Sequence, residues 1–176
     1  MTDNFVGFLA YQFRVLKHIP SIKYHTVRQE FQETYAQSNL NDKVVIDVGA
    51  DIGITPSLFI KHGAKKVIAY SLDRQSNKYV DRAVEWRGKW TGELPKGDIF
   101  KIDCEGCEYV LDSPDKIIEL YPEWYIAIHI LPDYQKTKSF LSWYDQLAQQ
   151  GRMVYHNGNE YMFHGVSGEL KESGMK

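Results

Sequence analysis

This sequence predicts an α/β fold, with a mainly parallel sheet, helices on both faces and an antiparallel hairpin at the C-terminal end. Val44 to Ile46, Val67 to Tyr70, Ile99 to Ile102 and Trp124 to Ile130 are short apolar runs. Runs of this kind make strands buried on both faces, and helical patterns separate them. The first run leads into Asp47, Gly49 and Gly53, then Thr55, Pro56 and Ser57. Strand, glycine loop and helix start in that order mark the central strand of an open α/β sheet, where ligands bind at the carboxyl ends of the strands. Near the other end, Asn157-Gly158 joins two alternating segments, which is a hairpin signal.

Taken in order, Asn4 to Ile19 carries Phe5, Phe8, Leu9, Phe13, Leu16 and Ile19, a mostly helical spacing that predicts an amphipathic cap on the sheet. Core packing is the preferred role of its aromatic face, and a homodimer contact or an acceptor pocket is the alternative. Pro20 ends it, a second helix spans Thr26 to Gln37, and residues 1–40 together form the helical cap. The α/β core is residues 43–165. After the glycine loop, Pro56 to His62 continues as a helix closed by Gly63. Gln75 to Arg87 is the next helix, followed by a loop through Gly88, Gly92, Pro95 and Gly97. Ser139 to Gln149 is the last helix, Gly151 ends it, and Met153 to His156 pairs with Glu160 to His164. The segment 166–176 reads as a polar tail.

At 176 residues with 43% apolar content, the chain has the length for one domain with a real core. A net charge of −2 and a pI near 6.3 give no general pull towards nucleic acid or an anionic membrane. Two cysteines are too few for a disulfide framework, and no basic N-terminal region precedes an unbroken apolar stretch. The expected location is the cytoplasm.

The spacing of the glycine loop selects its ligand. A dinucleotide fingerprint needs G-x-G-x-x-G, whereas Gly49 and Gly53 stand four apart with Asp47 before them and Asp51 between. A pyrophosphate is disfavoured beside those carboxylates, and no Gly-Lys-Ser/Thr follows to make a P-loop. A ligand with positive charge and amino or hydroxyl donors fits better, as the methionine half of S-adenosylmethionine does. A plain structural turn is the bland alternative.

Asp47 to Gly53 (DVGADIG), Val67 to Leu72 (VIAYSL) and Lys101 to Val110 (KIDCEGCEYV) resemble, in order, the motifs of the FkbM family of S-adenosylmethionine-dependent methyltransferases. Those motifs run roughly DVGANIG, V-x-A-F-E-P and LKIDVEGxE. The resemblance implies a Rossmann-like class I methyltransferase sheet, S-adenosylmethionine as cofactor and O-methylation of a small-molecule hydroxyl acceptor. Asp47, Gly49, Ala50, Asp51 and Gly53 would then cradle the methionine moiety. The end of the second strand would hold the ribose, where this fold usually has an acid. Here that position is Ser71, followed by Leu72 and then Asp73. Without a charged double acceptor, binding loses about 1 to 3 kcal/mol.

The third strand of the full fold is expected to be missing, since the stretch from Asp73 to Lys101 has room for one helix and a loop. That leaves the order 2-1-4-5-7-6 in full-fold numbering. Trp86, Trp90 or the Gly88 to Gly97 loop would have to enclose the adenine. The fourth strand delivers Asp103, Glu105 and Glu108 at its carboxyl end, where class I methyltransferases commonly carry groups that act on the acceptor. Asp103 is the better candidate for chemistry, and Glu105 equally suits a helix cap.

His129 ends the fifth strand on the same edge and is a candidate base or acceptor-orienting group. The family's Glu two residues earlier is Ala127 here. Asp103 and His129 are therefore expected to approach a common cleft. Cys104 and Cys107 form a C-x-x-C, a setting for redox chemistry, but they read as small packing residues. With no second cysteine pair or H-x-x-x-H, no metal site is expected. The competing function is a non-catalytic binding or assembly module on the same sheet, which Ser71, Ala127 and the missing strand favour. An RNA methyltransferase lacks support, as there is no N-P-P-Y-type motif and no basic domain.

Overall fold

A computed structural model describes residues 21–50, 52–72 and 82–167. The expected N-terminal helix over Asn4 to Ile19, Asp51, Asp73 and the polar tail beyond 167 lie outside the described residues. The chain is a mixed α/β protein with seven described strands, parallel for the most part and antiparallel towards the C-terminus. It divides into two compact units, Met1–Lys89 and Trp90–Lys176.

In the first unit, α1 (Ser21–Glu33) starts directly after Pro20 and is followed by a 3-10 turn at Tyr35–Gln37. The expected helix was set five residues late, because the first residues of α1 carry no apolar periodicity. Its buried Phe31 meets Phe59 of α2 (Ile54–Lys61) edge-on, with ring centres 5.0 Å apart, and Tyr35 completes the cluster. β1 (Val44–Val48) and β2 (Lys66–Tyr70) run parallel, Val44 facing Lys66 and Val48 facing Tyr70, with four of the five residues of each strand buried. Gly63 closes α2 at φ 104°, and a Cβ there would lie 2.4 Å from Asn41 Oδ1.

The expectation of a missing third strand is corrected here. β3 (Val84–Trp86) pairs in parallel with β2, Val67 with Val84 and Ala69 with Trp86, so that β2 lies between β1 and β3. The residues between β2 and β3 number about a dozen, the minimum for a parallel crossover. The helix expected over Gln75 to Arg87 therefore gives way to a strand at its C-terminal end. Three residues, V-E-W, suffice for an edge strand because pairing is needed on one side only. Lys66 and Arg87 both bind the Glu85 carboxylate and hold it below the usual carboxylate range, and charges of this kind blunt an edge against further pairing.

In the second unit, β4 (Ile99–Ile102) and β5 (Glu123–His129) run parallel. β7 (Glu160–Val166) runs antiparallel to β5, and β6 (Arg152–Asn157) antiparallel to β7, giving β4-β5-β7-β6. α3 (Asp115–Leu120) buries Ile117. α4 (Tyr134–Gln150) begins five residues before the expected Ser139. Its exposed first turns show no apolar pattern, and its start is set by Asp133, whose side chain accepts from the Lys136 amide at 3.0 Å. Phe140, Trp143 and Leu147 form its buried stripe. Trp124 lies 1% exposed in β5, and a Cβ added at Gly165 would sit 2.1 Å from its ring. Trp90 is likewise committed to this core, 3% exposed, with its indole N–H on Glu93 O at 2.7 Å, and so is taken up before any adenine.

Candidate functional site

In the first unit the buried run of β1 ends on Asp47, itself fully buried. The chain then turns through Gly49 at φ 85° and enters α2 through Gly53 at φ 96°, backbone that a side-chain-bearing residue adopts only with strain. The amides of Gly49 and Ala50 both donate to Tyr70 O, at 3.0 and 2.9 Å, and the Gly53 amide donates to Ala50 O at 2.9 Å. The glycine loop is thus tied to the end of β2. Ser71 follows, half-buried, with its amide on Gly88 O at 3.0 Å, and Leu72 stands 79% exposed. Trp86 ends β3 with its indole nitrogen buried and, among the described residues, without a hydrogen-bond partner.

In the second unit, Asp103 follows β4, His129 ends β5 and Glu160 begins β7. His129 and Glu160 are directly opposed across the antiparallel pair and so share a face. One ligand atom from each of Asp103, His129 and Glu160 lies within 4.8 Å of the other two, and His129 Nε2 is 3.7 Å from Asp103 Oδ1. Behind the ring lies Glu108, 0% exposed. Its Oε1 accepts from both the His129 amide and Nδ1, each at 3.0 Å, and its Oε2 accepts from the Gly106 amide at 2.8 Å. Nδ1 therefore carries a proton, and Nε2 faces Asp103 and Glu160.

Burial alone would push the His129 pKa down. The hydrogen bond and charge of Glu108, together with the charges of Asp103 and Glu160, outweigh it, and the net shift is upward. Tyr109 donates to His129 O at 2.8 Å, and burial, with the Glu108 charge, raises its own pKa beyond reach of ordinary conditions.

Asp103 and His129 are thus neighbours, while Glu105 is exposed on the intervening loop, at φ 53°, outside this cluster. The helix cap expected of Glu105 is not made, since the 3-10 turn at Glu108–Val110 follows Cys107 without a side-chain cap. The reading of Cys104 and Cys107 as small packing residues is corrected, since they form a disulfide and both are only half-buried. Their bridge spans the turn between Asp103 and Glu108, where the left-handed Glu105 and Gly106 bring the two sulfurs together.

Glu160 is the partner that sequence reasoning missed; Glu108, the last residue of the K-I-D-x-E-G-x-E match, stood at the end of the fourth strand with no role of its own. The hairpin signal at Asn157-Gly158 sets Glu160 opposite Asn157 at the start of β7, and its pairing with the end of β5 is a tertiary contact that no local signal carries. Nothing local marks Glu108 as buried.

"Uncharacterized protein 65" of Sulfolobus islandicus filamentous virus (isolate Iceland/Hveragerdi) is 32% identical to this chain over 110 residues, covering 57% of this chain and 68% of the viral protein. "Uncharacterized protein 158B" of Sulfolobus islandicus rod-shaped virus 1 is 32% identical over 112 residues, covering 57% and 70%. The chain belongs to this viral family. No family model matches it.

Beyond the viral family, the likeness is to solved structures. Magnesium protoporphyrin IX methyltransferase from Synechocystis PCC 6803, with bound S-adenosylmethionine, aligns at TM-score 0.55 and 14% identity over 82% of this chain and 79% of that one. A protein titled a hemolysin, from Lactococcus lactis, aligns at 0.52 and 14% over 82% and 86%. At such identities the likeness is one of fold, and the fold is that of the class I methyltransferases.

Proposed function

We propose that this chain is an S-adenosylmethionine-dependent methyltransferase acting on a hydroxyl acceptor, related to the FkbM enzymes that its motifs resemble. The observation that carries this reading is the Glu108–His129–Asp103 arrangement at the ends of two parallel strands in a methyltransferase fold. S-adenosylmethionine, when bound, supplies the electrophilic methyl group.

The residues present fit that cofactor at its amino-acid end. The left-handed Gly49 and Gly53 leave the backbone open to close approach, and the buried Asp47 carboxylate suits an ammonium or sulfonium charge. Trp86 offers a buried N–H donor for a ring nitrogen of adenine. The ribose end is the weaker fit, because Ser71 gives one hydrogen bond where a carboxylate would accept two. That serine also supports the second reading, a non-catalytic module on the same fold.

On the acceptor side, Glu108 fixes the ring of His129 so that Nε2 orients the hydroxyl and draws on its proton, with Asp103 beside it. Calorimetry with S-adenosylmethionine and S-adenosylhomocysteine tests the reading. Saturable binding to the wild type that is abolished by Gly49→Val supports it, whereas no heat from either ligand would leave the non-catalytic module. His129→Ala should keep cofactor affinity and lower transfer by on the order of a hundredfold. A fully active variant would remove His129 from the mechanism.

A further inference from the structure

We infer that Asp103, His129 and Glu160 form a binding site for a divalent first-row transition cation, manganese or zinc. Three strand ends of one unit bring these residues together, and their ligand atoms already lie within 4.8 Å of one another. Around an ion with bonds of about 2.1 Å, neighbouring ligand atoms stand roughly 3 to 3.5 Å apart. The 3.7 Å between His129 Nε2 and Asp103 Oδ1 is close to that range and too long for a hydrogen bond. Glu160 stands directly opposite His129 across the β5–β7 pair, so its carboxylate is held on the same face as the imidazole.

The second observation is His129 itself. It is 8% exposed, Glu108 holds its Nδ1, and its Nε2 is aimed at two carboxylates. Its Nε2 and the two carboxylates converge on one point, where a cation would be met by three ligand atoms. An imidazole whose far nitrogen donates to a buried carboxylate has the outer-shell partner that orients metal-binding histidines and raises their basicity.

One nitrogen with two carboxylates suits manganese or zinc better than magnesium or calcium, which favour all-oxygen sets. Three protein ligands also leave coordination positions for an acceptor oxygen, whose proton affinity the cation would lower; with the cation bound, Nε2 is a ligand and activation of the hydroxyl passes from the imidazole to the ion. That role for the acceptor rests on the methyl-transfer reading, whereas cation binding does not.

The test uses the full chain freed of metal by a chelator. Manganese is titrated and followed by loss of the free-ion paramagnetic resonance signal, and zinc by calorimetry. Stoichiometric binding is expected, with a rise in melting temperature. Asp103→Asn and Glu160→Gln should each weaken binding at least roughly tenfold, as should Glu108→Gln, which leaves all three ligands in place. Glu119→Gln, on the exposed face of α3, should bind as the wild type does.

Circular dichroism establishes that each variant is folded. No binding by the folded wild type overturns the inference, and so does equal binding by wild type, Asp103→Asn and Glu160→Gln. Cofactor calorimetry on the same samples separates the two readings. Binding of S-adenosylmethionine without manganese or zinc removes the cation site alone. Binding of the metal without S-adenosylmethionine leaves the cation site and removes methyl transfer.

Discussion

Glu108 is a carboxylate buried to 0% exposure beneath a histidine, and it holds three donors: the His129 amide, His129 Nδ1 and the Gly106 amide. Removing it by Glu108→Leu orphans all three, a loss on the order of 3 to 5 kcal/mol, as for one partner of a buried ion pair. Glu108→Gln keeps one carbonyl oxygen and should lose about 1 to 2 kcal/mol. Urea denaturation of the two variants measures the difference, and equal midpoints would mean that the charge and its bonds contribute nothing.

At this scale the sequence was half legible. Asp103 and His129 could be singled out because each terminates an apolar strand. Glu108 could not, because its burial depends on the turn through Glu105 and Gly106 and on the disulfide beside it. The disulfide was passed over because two cysteines are too few for a disulfide framework and the pair reads as small packing residues, arguments that carry no information about how the loop folds.

Among the elements, strands with continuous apolar runs were visible, and β4 matches its expected bounds, Ile99–Ile102. β3 was hidden, since V-E-W is shorter than any periodicity and its pairing with β2 is a tertiary fact. The start of α4 was hidden for the related reason that exposed polar turns have no pattern to read.

The C-terminal strands offer a test of packing. Gly165 pairs with Trp124 across β5 and β7, and the indole occupies the space that a side chain on Gly165 would need. Gly165→Val should therefore destabilise the protein by about 1 to 3 kcal/mol through overpacking. A Trp124→Leu change made together with it should recover part of that loss, which would appear as coupling in a double-mutant cycle of melting curves. Strictly additive effects would place the two residues in separate environments.

For the whole molecule, the apolar strands, their mostly parallel direction and the terminal hairpin were legible because they follow from chain order and burial. The reading of the cofactor adds a prediction at Ser71. If this residue stands where the ribose hydroxyls are held, Ser71→Glu should tighten S-adenosylmethionine binding by on the order of tenfold, the worth of a charge-assisted hydrogen bond. Calorimetry on the variant would show it, and weaker binding would take the ribose away from this position.

A single oxygen links that position to the glycine loop. Tyr70 O accepts the amides of both Gly49 and Ala50, and Ser71 is the next residue along the chain. The loop expected to cradle one end of the ligand and the residue expected to meet the other share one mechanical anchor. A shift of β2 by a fraction of an ångström would therefore carry both together, and the span between them would act as a fixed gauge. On the cofactor reading, the site would select among ligands by length before it selected them by charge.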